Sequence, residues 1–91
     1  MSFSYTSYTL EKLELLLKSL EYKVRYEKGN FKTGACVIES SKVVVVNKFS
    51  TLESKINSLA ELLQSMQTDD SLIDEKQKQF LYVLKQTSLQ L

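Results

Sequence analysis

The segment YEKGNFKTG, residues 26–34, offers the clearest candidate for binding chemistry. Glycines that free the backbone amides, together with two lysine ammonium groups, would suit a small anion or a peptide. A β-hairpin requires the same glycines for its turn, and the P-loop spacing G-x-x-x-x-G-K-[ST] is not present. The candidate ligand contacts are Lys28, Gly29, Asn30, Phe31, Lys32 and Gly34.

The remaining reactive side chains do not nominate a catalytic site. The chain contains no histidine, which excludes Ser-His-Asp, Cys-His and His-zinc mechanisms within one chain. Its single cysteine, Cys36, lies in the apolar stretch GACVI and is interpreted as a small buried hydrophobe. Acidic residues between 69 and 75 fit helix capping better than a cation site. We therefore expect no enzymatic activity, no metal and no cofactor.

Composition and charge restrict the class of partner. Lys and Arg total 12 against 11 for Asp and Glu, so the net charge is +1, and Arg25 is the only arginine. A net charge this close to zero gives no strong positive electrostatic potential that would attract the phosphates of a nucleic acid. No stretch approaches the roughly 20 apolar residues of a membrane span, and the first ten residues lack the features of a secretory signal. We expect a cytoplasmic protein that binds neither nucleic acid nor membrane.

Helical spacing of apolar residues predicts three helices. Thr9 is a plausible N-cap for the first, Ser50 and Glu53 have capping-box spacing before the second, and Ser71 with Asp74 can begin the third. The predicted helices cover residues 9–20, 51–67 and 71–88, after an N-terminal arm of residues 1–8.

The region between the first two helices predicts strands. In EYKVRYE, residues 21–27, Tyr22, Val24 and Tyr26 alternate with charged residues, which is typical of a half-buried strand. The run KVVVVNKF has no polar face and suits a strand covered on both sides; at a sheet edge it would be a template for pairing with another chain. Residues 21–48 therefore predict a three-stranded antiparallel meander.

The element order α-β-β-β-α-α predicts one α+β domain over residues 1–91, in which the antiparallel sheet is packed with helices. Pro-rich linkers and internal repeats are not present in the sequence.

The chain has a helix and a strand, then the motifs G-x-C-V-I-E and KVVVVNK, and then a helix that starts Ser-Thr-Leu-Glu. This order resembles the minimal zincin core of ImmA/IrrE-type peptidases. Asn47 matches an asparagine at the strand end in that family. The resemblance places Ala60, Glu61 and Gln64 on the His, Glu and His positions of the H-E-x-x-H motif. Because both histidines are replaced, it implies a catalytically dead relative, and an amphipathic core helix explains the same residues.

The stretch VRYEKGNFKTGACVIESSKVVVVNKFSTLESKINSLAELL, residues 24–63, is similar to a family of small bacterial proteins, mainly from Bacteroidetes-type bacteria, which has no assigned activity. This resemblance implies a bacterial cytosolic protein and adds no mechanism.

The sequence favours a non-catalytic protein-interaction or structural domain that self-associates, so we expect a homodimer or a complex with another protein. The apolar strand and the wide apolar face of the third helix support this expectation. The interface residues it nominates are Val43, Val45, Phe80 and Leu84. The alternatives are anion or peptide binding at the 28–34 hairpin, and a dead zinc peptidase.

Overall fold

A computed structural model describes residues 4–28 and 35–86. Within these ranges the chain forms three helices and a three-stranded sheet, which confirms the predicted α+β class. The elements are α1 (Ser7–Ser19), β1 (Lys23–Glu27), β2 (Ala35–Ile38), β3 (Val43–Asn47), α2 (Leu52–Ser65) and α3 (Glu75–Gln86), with 3-10 turns at Glu39–Ser41 and Asp70–Leu72. In this part of the chain no helix is long and apolar enough to cross a membrane.

The sheet is mixed, so the prediction of a three-stranded antiparallel meander was wrong. The strand order is β1-β3-β2, with β1 parallel to β3 and β2 antiparallel to β3. The central position gives the valine run of β3 hydrogen-bonding partners along both edges, so this apolar strand is not left as an edge that could pair with another chain. The segment from residue 28 to residue 42 is long enough for the crossover that a parallel pair requires.

Alternation along the strands gives the sheet two different faces. Val44 and Val46 are buried in the hydrophobic core. Their register partners on the same face are Val24 and Val37 for Val44, and Tyr26 and Ala35 for Val46. All three helices contribute to this core through Leu13, Leu16, Leu17, Ile56, Leu59, Leu63, Leu81 and Leu84. We call this helix-covered side the inner face of the sheet.

Helix α1 is capped by a side chain at its start and by backbone hydrogen bonds at its end. The side chain of Thr6, rather than that of Thr9, accepts a hydrogen bond from the first turn, at 3.2 Å from the Thr9 nitrogen. At the other end the N–H of Tyr22 bonds to the carbonyl of Leu17 at 3.0 Å, while Glu21 has a φ of 71°. Glycine usually occupies this left-handed position, so Glu21 costs about 1 kcal/mol there.

The turn between β3 and α2 is held by polar side chains. The side-chain oxygen of Asn47 accepts a hydrogen bond from the N–H of Phe49 at 3.1 Å, and the hydroxyl of Ser50 donates to the Asn47 carbonyl at 2.9 Å. Thr51 is the N-cap of α2, because its hydroxyl oxygen accepts from the N–H of Ser54 at 3.0 Å. The cap thus lies one residue after the predicted Ser50.

Helix α3 packs against its own chain. Asp74 and Gln77 form a reciprocal capping box, in which the Asp74 carboxylate accepts from the N–H of Gln77 at 2.8 Å and the Gln77 side-chain oxygen accepts from the N–H of Asp74 at 3.1 Å. The Gln77 amide also donates to the Ser19 hydroxyl at 2.9 Å. Gln77 therefore caps α3 and ties it to the end of α1.

Candidate interaction surface

The hairpin nominated by the sequence lies almost entirely outside the described residues. Lys28 is exposed at the end of β1. The other candidate contacts, Gly29, Asn30, Phe31, Lys32 and Gly34, fall in the range 29–34, which the structure does not describe. Because β1 and β2 are not neighbours in the sheet, residues 28–34 do not connect two paired strands, and the prediction of a β-hairpin there was wrong. Ligand binding at this segment stays a prediction.

The side of the sheet opposite the helices, which we call the outer face, carries the two remaining valines of β3. Side chains alternate along a strand, so Val43 and Val45 point away from Val44 and Val46. Neither belongs to the core formed with the helices, yet Val43 is only 8% exposed and Val45 only 5%. The outer face therefore has an apolar centre.

The neighbours of these valines differ between the two edges of the sheet. On the β1 side the register places Lys23 beside Val43 and Arg25 beside Val45. On the β2 side it places Ile38 beside Val43 and Cys36 beside Val45. The charged edge carries an ion pair between Arg25 and Glu27. The apolar edge is open to solvent, since Ile38 is 45% exposed.

The four predicted interface residues do not share one surface. Val43 and Val45 lie on the outer face, whereas Leu84 is buried in the core on the inner side. Phe80 is half-buried against that core, and the Lys12 ammonium lies 4.4 Å from the centre of its ring. Leu84 is thus already used in holding α3 to its own domain.

The positions implied by the zinc-peptidase resemblance pack α2 into the domain. Ala60 is fully buried, Glu61 is exposed and Gln64 is half-buried. The Gln64 amide donates a hydrogen bond to the carbonyl of Leu84 at 2.6 Å, which joins α2 to α3. Within residues 4–28 and 35–86, no group of three or more His, Cys, Asp or Glu could hold a metal ion.

A groove of about 540 Å³ lies between β2 and α2, and we call it the β2/α2 groove. Its lining consists of Ala35, Cys36, Val37, Ser58, Glu61, Leu62, Gln64 and Ser65. Sequence reasoning missed this groove because β2 and α2 are separated by β3 along the chain. One signal was present in the sequence: Leu62 is an apolar residue outside the helical stripe formed by Leu52, Ile56, Leu59, Leu63 and Met66.

A second groove of about 580 Å³ follows the exposed side of α3. Charged residues of both signs, including Asp70, Glu75, Lys78 and Lys85, contribute to its lining together with the exposed Tyr82. Such a mixture is typical of a solvated helix surface, so this groove indicates no ligand class.

One tyrosine at the edge of the inner face has a perturbed acidity. The Tyr26 hydroxyl donates a hydrogen bond to the Glu14 carboxylate of α1, and the Lys55 ammonium lies 5.5 Å from the centre of the Tyr26 ring. Partial burial, and then the hydrogen bond and negative charge of Glu14, raise the pKa of Tyr26 well above its ordinary range. This contact joins β1 to α1 and is structural.

Comparison with family models, with curated proteins and with solved structures gave no match. The resemblances to the zincin core and to small bacterial proteins therefore stay predictions. Any function proposed for this chain rests on its own surfaces.

Proposed function

We propose that this chain is a small non-catalytic protein-interaction domain that self-associates through the outer face of its sheet. The observation that supports the proposal is the pair of buried valines on a sheet face that lies opposite the helical core. Ile38 extends this apolar centre to the edge of the sheet, where it is 45% exposed. Burying Ile38 against an identical face would remove apolar surface from water, and the valines would form the centre of that contact.

The order of charges along β1 is compatible with such a pairing. If a twofold axis runs across the strands, each β1 faces the other in the opposite direction, and Lys23 of one copy approaches Glu27 of the second. Arg25 already forms an ion pair with Glu27 in its own strand. The charged edge would then form a polar rim beside the apolar centre, as protein interfaces commonly do.

The area of the face limits the strength of the association. Three strands about 4.8 Å apart, with five residues rising about 3.3 Å each, give a face of roughly 14 by 16 Å, or about 230 Å². A stable interface commonly buries about 800 Å² on each partner. We therefore expect a weak homodimer whose population rises with concentration.

Light scattering coupled to size-exclusion chromatography tests the proposal across a concentration series up to about 1 mM. The wild-type mass should rise from that of the monomer toward twice that value. Ile38→Lys should keep the monomer mass throughout, because a lysine there places a charge in the apolar contact. Circular dichroism would verify that the variant is folded.

Leu15→Lys is the matched control, because Leu15 is an exposed apolar residue of α1, 58% exposed, on the helical side of the molecule. This variant should associate like the wild type. A wild-type monomer at every concentration, or the same mass profile for Ile38→Lys and wild type, would contradict the proposal.

A further inference from the structure

We propose that the β2/α2 groove binds an extended peptide segment with a basic side chain, which adds to the sheet as a strand beside β2. The groove shares Cys36 with the outer face but is bounded by α2, and the inference does not depend on self-association. It joins three features of the groove: an edge strand, an apolar floor and one negative charge.

The strand order makes β2 the edge of the sheet on this side. In the described part of the chain, β2 pairs with β3 alone. An edge strand directs alternate N–H and C=O groups away from its partner, and an extended peptide can pair with them. The stretch from Cys36 to Ile38 would provide this pairing over the length of a short peptide.

The floor of the groove is apolar and is fixed by the core. Val37 comes from the helix-facing side of β2 and Leu62 from α2, and both are partly buried against the core cluster. An added strand would direct every second side chain toward this floor. Apolar side chains at alternate positions of the peptide are therefore favoured.

Charge selects the kind of partner. Of the described residues that line the groove, Glu61 alone is charged, and it is exposed next to Leu62 along α2. A second copy added about a twofold axis at β2 would bring another Glu61 into the shared groove, where like charges repel. A lysine or arginine on the helix-facing side of the peptide would instead pair with this carboxylate.

The test uses blocked pentapeptides whose first, third and fifth residues face the helix. The basic probe is Val-Thr-Lys-Thr-Val, and the acidic probe is Val-Thr-Glu-Thr-Val. Amide NMR spectra of the full chain, titrated with the basic probe, should shift at Cys36, Val37, Glu61, Leu62 and Ser65. Because an exposed ion pair contributes up to about 1 kcal/mol, the basic probe should bind about fivefold more tightly than the acidic one.

A charge-reversal variant of the protein distinguishes recognition by Glu61 from non-specific electrostatic attraction between protein and probe. Glu61→Lys should reverse the preference, so that the acidic probe binds more tightly. Glu11→Lys, an equal change of charge at an exposed site of α1, should leave the preference unchanged. If Glu61→Lys fails to give a dispersed amide spectrum, Glu61→Gln takes its place and should make the two probes bind equally.

Three results would overturn the inference. The first is the absence of groove shifts with the basic probe, and the second is an unchanged preference in the folded Glu61 variant. The third is unchanged binding of both basic probes in which proline replaces either the second threonine or the final valine, since one of two adjacent N–H groups must face β2 and proline cannot donate that hydrogen bond. A fourth result would also contradict the inference: if shifts at Glu61, Leu62 and Ser65 follow protein concentration without a probe, a second copy occupies the groove.

Discussion

The two faces of the central strand bury the same residue type by different means. On the inner face Val44 and Val46 belong to one core cluster with leucines from all three helices. On the outer face Val43 and Val45 are almost as buried, but the neighbours that the register gives them are side chains of the adjacent strands. Lysine and arginine can cover apolar surface with their methylene stems while their charges stay in water. Equal burial therefore need not mean an equal contribution to folding.

A lysine placed on each face would give the largest expected difference. Val44→Lys buries an unpaired charge among the helices, which should destabilise the fold by at least about 4 kcal/mol and leave much of a domain this small unfolded. Val45→Lys should cost about 1–2 kcal/mol, because its ammonium can reach solvent on the outer face. Urea unfolding followed by circular dichroism would measure both free energies.

Similar losses of stability for Val44→Lys and Val45→Lys would contradict the expected difference between the two faces of the sheet. They would mean that the outer face is as enclosed as the inner one. The outer face would then offer no exposed surface for self-association. Val45→Lys, if folded, should also remain monomeric in the scattering experiment.

The polar contacts of the helical side should contribute less than its apolar core. Gln77→Ala removes one half of the capping box with Asp74 and the hydrogen bond to Ser19. We expect a loss of about 1–2 kcal/mol in the free energy of unfolding, measured by urea titration. Gln79→Ala, at an exposed position of the same helix, is the control and should change stability by less than about 0.5 kcal/mol. Equal losses for the two variants would show that Gln77 does not hold α3 to α1.

The smallest effect is expected at Tyr26, where the inner face meets solvent. Because its pKa is higher in the folded state than in the unfolded chain, the stability it contributes is fully present below about pH 10 and is lost as the pH rises above that value. Tyr26 is 40% exposed, so Tyr26→Phe should cost only about 0.5 kcal/mol near neutral pH. Urea unfolding at pH values on both sides of about 10 should show a shallower decline for Tyr26→Phe than for the wild type. An identical decline in the two proteins would show that Tyr26 does not contribute to the loss of stability above about pH 10.

Local signals predicted the elements better than their exact starts. The leucine spacing after residue 9 and the stripe from Leu52 to Met66 predict helices where α1 and α2 lie. The caps are displaced, to Thr6 and to Thr51, because neighbouring Ser and Thr residues have nearly the same capping ability. Choosing among them depends on how the chain enters the packed domain.

The candidate sites were less predictable than the helices. The valine run was recognised as buried, but its central position and its two different faces depend on the register with β1 and β2. The β2/α2 groove joins Val37 to Leu62, and no periodic pattern in the sequence connects them. The sequence assigned Leu84 to an interface because this residue lies on the apolar face predicted for the third helix. In the structure Leu84 is instead covered by the core of its own chain.

The sequence alone determined the α+β class, the helix-forming segments, the near-neutral charge and the lack of histidine chemistry, since each follows from residue types and their local spacing. Tertiary structure decided that β3 is central, that β1 runs parallel to it and that β2 lies at an edge beside α2. The physical reason is that strand pairing and burial are contacts between distant segments. Backbone hydrogen bonds fit many pairings equally well, and only the packing of all the apolar faces together selects one of them.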